Sequence, residues 1–186
     1  MNRHSTEQGR LLIALARNAI ASEFDETAHV LPHPEWLNHP GAVFVTLTQN
    51  GNLRGCIGSL EAHRKLIDDL EANARAAAFK DPRFPPLSRD ELATTQIEVS
   101  ILSPAEPVQF TSEANAMAQL RPGIDGVILE HGWHRATFLP QVWEQLPEPR
   151  QFIANLKRKA GLSSDFWADD LNLSRYQVEK FKENEK

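Results

Sequence analysis

Residues 42–58 read AVFVTLTQNGNLRGCIG, and the way this ribbon doubles back decides which of its side chains meet water. AVFVTLT at 42–48 is rich in β-branched residues, which suit a pleated strand. Asn50-Gly51 is a strong short-range signal for a hairpin, so LRGCIG at 53–58 is read as the returning strand. Two registers compete. A two-residue turn pairs 49 with 52 and 45 with 56, which puts Cys56 on the face of Val43, Val45 and Leu47 and forces Arg54 beside Leu47. An odd loop, Asn50-Gly51-Asn52 with a bulge, pairs 49 with 53 and 45 with 57. Val43, Val45, Leu47, Leu53 and Ile57 then face one way, and Thr46, Thr48, Arg54 and Cys56 the other. Burying an unpaired guanidinium costs several kcal/mol, on the order of a lost charge–solvent interaction. The odd loop is therefore the expected arrangement, with Cys56 and Arg54 together on the polar face. A one-residue slip would exchange the two faces.

Outward from the hairpin, the chain alternates helical and extended patterns. Leu11, Leu12, Leu15, Ala16, Ala19 and Ile20 recur at helical spacing behind a capping-box pattern, Ser5 to Gln8, and predict a helix to about Phe24. Residues 29–41 hold three prolines and read as an ordered loop. A second helix is expected over 63–79, with an alanine-rich end that permits close packing. KDPRFPPLS at 80–88 is a proline-stiffened loop, and Ser88-Arg89-Asp90-Glu91 is a capping box opening a short helix. QIEVSILS at 96–103 alternates, with Ile97, Val99 and Ile101 on one face and Glu98 and Ser100 on the other. A short helix is read at 112–120, a hairpin around His131-Gly132, and a helix over QVWEQL behind Pro140. A further helix runs over 149–160 to a stop at Gly161, and a closing strand covers 172–181. Hairpins mixed with helices predict an α+β fold with a mixed, largely antiparallel sheet and flanking helices.

The totals narrow the function classes. With 186 residues and 41% apolar composition, one domain with a real core, or one domain with a minor lobe, is expected, and short terminal tails at 1–7 and 182–186 go with the domain span 8–181 that the resemblance given below implies. A net charge of −5 argues against affinity built on phosphate contacts. The short run Lys157-Arg158-Lys159 is explained by the dipole at a helix end, so nucleic acid is not an expected partner. One cysteine cannot form an internal disulfide, the opening MNRHSTEQGR lacks an apolar secretory core, and no run of about 18 apolar residues spans a bilayer. A cytoplasmic protein with no membrane association is expected. GxGxxG and Walker patterns are absent.

LRGCIG carries the chemistry. Cys56 is the single thiol, and a neighbouring Arg54 guanidinium would favour its thiolate. Gly55 and Gly58 would let a ligand or another backbone approach closely. The plain alternative is a small buried residue in a tight turn, since free cysteine often serves as a packing hydrophobe. No histidine is placed by sequence to act as a base for Cys56. Beyond this stretch, Arg83 in DPRFPP is read either as a structural partner of a carboxylate or as an anion clamp. Glu98 is read as solvated or as the partner of Arg54, and Arg135 with Thr137 as additions to the same polar surface. His29, His33 and His39 have a suggestive spacing, but Pro32 and Pro34 break the helix it would need, and no metal or cofactor is expected.

The order FVTL, LRGCIG, KDPRFPPLSRDEL, IEVSIL, GIDGVIL, RATFLPQV and KAGL resembles the AMMECR-one domain family over about residues 8–181. The resemblance implies an α+β fold of two unequal lobes around a cleft that LRGCIG borders. It also implies an uncharacterised activity, and companions of Memo type and radical-SAM type in the set called AmmeMemoRadiSam. Two functions are therefore expected in competition. One is an accessory component that works with those companions. The other is a stand-alone cysteine-dependent enzyme on a small molecule, with Cys56 as nucleophile. A small-molecule ligand and a homodimer are compatible with both.

Overall fold

The computed structural model describes residues 3–24 and 30–183. In chain order its elements are α1 (Arg3–Ala21), β1 (Ala42–Gln49), β2 (Asn52–Gly58), α2 (Leu66–Phe79), α3 (Arg89–Leu92), β3 (Gln96–Leu102), β4 (Glu106–Pro107) and α4 (Glu113–Gln119). They continue with β5 (Gly126–His131), β6 (His134–Phe138), α5 (Pro149–Lys159), β7 (Asn172–Tyr176) and β8 (Val178–Lys182). The α+β class is as expected, with the strands divided between two four-stranded antiparallel sheets. Two compact units result: Met1–Leu102 with Glu179–Lys186, and Ser103–Val178.

The first unit carries the sheet β2-β1-β3-β8. Val43, Val45, Leu47, Ile97 and Val99 on its inner face are fully or almost fully buried among Leu12, Ala16 and Ile20 of α1 and Leu70, Ala74 and Ala77 of α2. Burying side chains of this size contributes roughly 1.5–3 kcal/mol each, which is what seats both helices on one face. Helix α1 begins at Arg3, ahead of the Ser5 cap that the sequence suggests; the Ser5 side chain and His29 lie outside the described residues. Helix α2 begins at Leu66 rather than 63, because Lys65 is extended and Pro40 bridges to it. Glu183 is no loose tail. Its carboxylate takes two hydrogen bonds from Arg17, at 3.0 and 2.5 Å, and one from the Ile97 N–H at 3.2 Å.

The hairpin corrects the expected turn. Gln49 pairs with Asn52, so the loop is the two-residue Asn50-Gly51, with φ of 49° and 77°. Both angles are positive, as a type I′ turn requires. The odd register nevertheless appears two residues later. Thr48 pairs with Leu53 but Leu47 with Gly55, leaving Arg54 as the extra residue of a β-bulge. Val45 then faces Ile57 and Thr46 faces Cys56. The expected face is thus right for Cys56 and Ile57, and wrong for Leu53, which lies opposite Thr48 and is 42% exposed.

The second unit carries the sheet β4-β7-β5-β6. Its core stacks Trp143 on Phe152 at 3.7 Å between ring centres, with Val127, Leu129, Leu156 and Leu173 around them. QVWEQL forms a 3-10 turn over Pro140–Glu144. The single closing strand expected at 172–181 is two strands: β7 belongs to this sheet and β8 to the other, and they meet at Gln177. There Ser103 and Gln177 exchange two hydrogen bonds, N–H to carbonyl at 2.9 Å and N–H to Oγ at 3.0 Å. Lys157, expected as one of three cations at a helix end, lies in the last turn of α5 and is fully buried. Its ammonium binds Glu113 at 2.6 Å and lies 5.4 Å from the centre of the Trp167 ring.

Candidate functional site

The bulge decides where each member of LRGCIG points. Arg54 does not emerge beside the thiol. It is only 8% exposed, and its guanidinium grips Glu91 of α3 through Nε at 2.9 Å and Nη2 at 3.2 Å. Nη2 also reaches the Pro86 carbonyl at 3.4 Å, and the guanidinium carbon lies 6.0 Å from the Phe84 ring centre. Its Nη1 is buried without a hydrogen-bond partner. Glu91 is the same residue that closes the α3 capping box, accepting from the Ser88 N–H at 2.8 Å. The Arg54 hydrogen bonds, helped by Ser88, outweigh desolvation and hold the Glu91 carboxyl down to about 2. Glu98, the partner the sequence offered to Arg54, binds Lys182 of β8 instead, at 3.0 Å.

Of the two expected uses of these glycines, the approach of another part of the fold is the one seen at both. A Cβ on Gly55 would collide with the Ala77 carbonyl oxygen of α2, and one on Gly58 would collide with the Phe44 ring. The absent side chains admit a helix backbone in one case and an aromatic ring in the other. This is the close approach that glycine permits, met from within the fold.

Strand β2 is an edge of its sheet, and an edge carries unpaired main-chain groups. Here DPRFPP closes that edge at Cys56. The Cys56 N–H donates to Asp81 Oδ2 at 2.9 Å, and Arg83 Nη2 donates to the Cys56 carbonyl at 3.3 Å. Asp81 and Arg83 are themselves paired twice, Nε to Oδ1 at 2.9 Å and Nη2 to Oδ2 at 2.7 Å. The Asp81 carboxyl is held well below the usual carboxylate range, first by the Arg83 side chain, against desolvation, and then by the N–H groups of Cys56 and Arg83. Arg83 is raised in turn, chiefly by its Asp81 hydrogen bond, against desolvation, then by the Asp81 charge and least by the electrostatics of Cys56. Its side chain is 54% exposed. The cation near the sulfur is therefore Arg83, not Arg54.

The Cys56 side chain emerges, partly exposed, on the face of the sheet opposite α1 and α2. The Thr46 hydroxyl donates to its sulfur at 3.3 Å. Thr46 pairs with Glu98 on β3, and Glu98 with Lys182 on β8. Cys56, Thr46, Glu98 and Lys182 thus form one polar stripe across all four strands, with Arg83 at the Cys56 end. A thiol, a hydroxyl and an ion pair in such a row can recognise a polar group. Among the described residues no histidine or carboxylate hydrogen-bonds to the sulfur: His63, nearest in sequence, is occupied with Glu61 at 2.8 Å.

The remaining candidates have partners of their own. Arg135 belongs to the second unit, where it faces Glu130 across the β5–β6 hairpin at 2.8 Å. Thr137 is buried and shares a 3.0 Å hydrogen bond with the Tyr176 hydroxyl. His33 contacts Asn38, His134 meets the Ala160 carbonyl, and His131 pairs with Asp170. Among the described residues no three metal-ligating side chains converge, and no helix is long and apolar enough to cross a membrane.

Sequence reasoning missed the roles of Glu91 and Lys182. A signal existed for Glu91, because a capping-box carboxylate uses one oxygen on the helix N-terminus and leaves the other available. Lys182 carried no local signal, since its neighbours are set by β8 lying beside β3 at the end of the chain.

Comparison with known proteins covers nearly the whole chain. The AMMECR1 family pattern matches residues 13–181. A protein of Methanothermobacter thermautotrophicus is 40% identical over 185 residues, covering 97% of this chain and 96% of its own length. A protein of Methanocaldococcus jannaschii is 35% identical over 184 residues, covering 96% and 92%. The crystal structure of an uncharacterised protein from Pyrococcus horikoshii superposes with a TM-score of 0.78 at 32% identity, covering 96% of this chain and 92% of that one.

Proposed function

The chain belongs to the AMMECR1 family, and from that premise we propose that it is an accessory component. In this reading it works with a Memo-type protein and a radical-SAM enzyme, and it recognises a partner segment or a small polar molecule at the stripe around Cys56. The companions come from the family resemblance. The use of the stripe for recognition rests on one observation: Cys56 is held by hydrogen bonds at main chain and sulfur, with no histidine or carboxylate bonded to the sulfur among the described residues. Both main-chain groups of Cys56 are fixed by Asp81 and Arg83, and its sulfur is met by the Thr46 hydroxyl. A nucleophilic cysteine is activated by a neighbouring base or a dedicated positive charge. The charge expected for that task, Arg54, is spent on Glu91. A fixed polar surface is what a recognition site needs, because little ordering remains to be done on binding.

The test uses the purified full-length chain with purified Memo-type and radical-SAM proteins from the same organism. Association with either one at micromolar concentration is the expected result, and no association with either removes the partner reading.

One observation favours the second reading, a stand-alone enzyme with Cys56 as nucleophile. The exposed Arg83 guanidinium lies within electrostatic reach of the sulfur. In that case native Cys56 reacts with iodoacetamide near pH 7 faster than a model thiol does, because the thiolate is the reacting species. A rate no faster than the model thiol removes its chemical basis.

A further inference from the structure

We draw no further inference here: the strongest candidate, the groove of about 630 Å³ that Glu7, Gln8 and Leu11 of α1 form with Pro32, Pro34 and Trp36, is an apolar hollow, and nothing in the structure shows what covers it.

Discussion

Cys56 is tied to Asp81 through the main chain: its N–H donates to the buried Asp81 carboxylate at 2.9 Å, while Arg83 bridges that carboxylate and the Cys56 carbonyl. The edge of β2 is thereby closed by two side chains of one loop. The same loop region supplies Glu91 to the bulged Arg54. Two carboxylates therefore hold LRGCIG in place, and both are expected to govern how the fold responds to acid.

The Asp81 carboxyl is held below its ordinary value of 3.8, and Glu91 is lowered from 4.5 to about 2. A depressed carboxyl stabilises the fold above its unfolded value and loses that contribution as pH falls through the folded one. Urea midpoints are therefore expected to be flat near neutrality and to drop as pH falls below about 4.5 toward 2, the span set by those values. Asp81→Asn and Glu91→Gln should each start lower at pH 7 and fall less steeply. Acid slopes equal to wild type would assign the sensitivity to other groups.

Arg54 and Glu91 differ in burial, so their removal should differ in cost. Glu91→Ala leaves a guanidinium that is 8% exposed with no carboxylate, and an uncompensated buried charge costs about 3–5 kcal/mol. Arg54→Met removes the buried charge, fills similar volume and leaves Glu91 able to reach water, so about 1–2 kcal/mol is expected. Equilibrium denaturation of both variants tests the order. An equal or reversed order would mean that the guanidinium gains little from this carboxylate.

Gly55→Ala places a methyl group against the Ala77 carbonyl, which is main chain and cannot rotate away. A loss of about 2–3 kcal/mol is expected, typical of overpacking. Gly51→Ala meets no atom within 4 Å but requires an alanine at φ of 77°. That substitution should cost only about 1–2 kcal/mol, the left-handed backbone penalty. Thermal denaturation of the pair separates the two causes, and equal losses would contradict the close approach of α2.

What was legible in the sequence follows the range of the forces involved. The capping box at Ser88 and the aliphatic face of β1 are local patterns that the structure carries unchanged, and the hairpin itself was legible although its turn length was not. The α+β class followed from the same signals. The bulge at Arg54 was not legible, because the turn alone allows an even register and only the tertiary partner Glu91 makes a displaced arginine favourable. Gly55 and Gly58 left a ligand and another backbone as open alternatives for a similar reason. A glycine announces that something comes close, but whether that is a ligand, the α2 backbone or the Phe44 ring depends on packing. The split of 172–181 into β7 and β8 was hidden too, since an extended pattern does not say which sheet will receive it. Lys157 reads in sequence as one of three cations at a helix end, and the pattern does not say that it will be buried against Glu113 and Trp167.

The most direct test of Cys56 as part of a recognition surface exploits its being the single thiol in the chain. Binding of the Memo-type and radical-SAM proteins is measured for the wild type, for Cys56→Ser, and for folded wild type alkylated with N-ethylmaleimide. The account predicts that the serine variant binds within about twofold of wild type, whereas the bulky adduct weakens binding at least about tenfold, roughly 1.4 kcal/mol. Loss of binding with serine, or full affinity with the adduct in place, would contradict it.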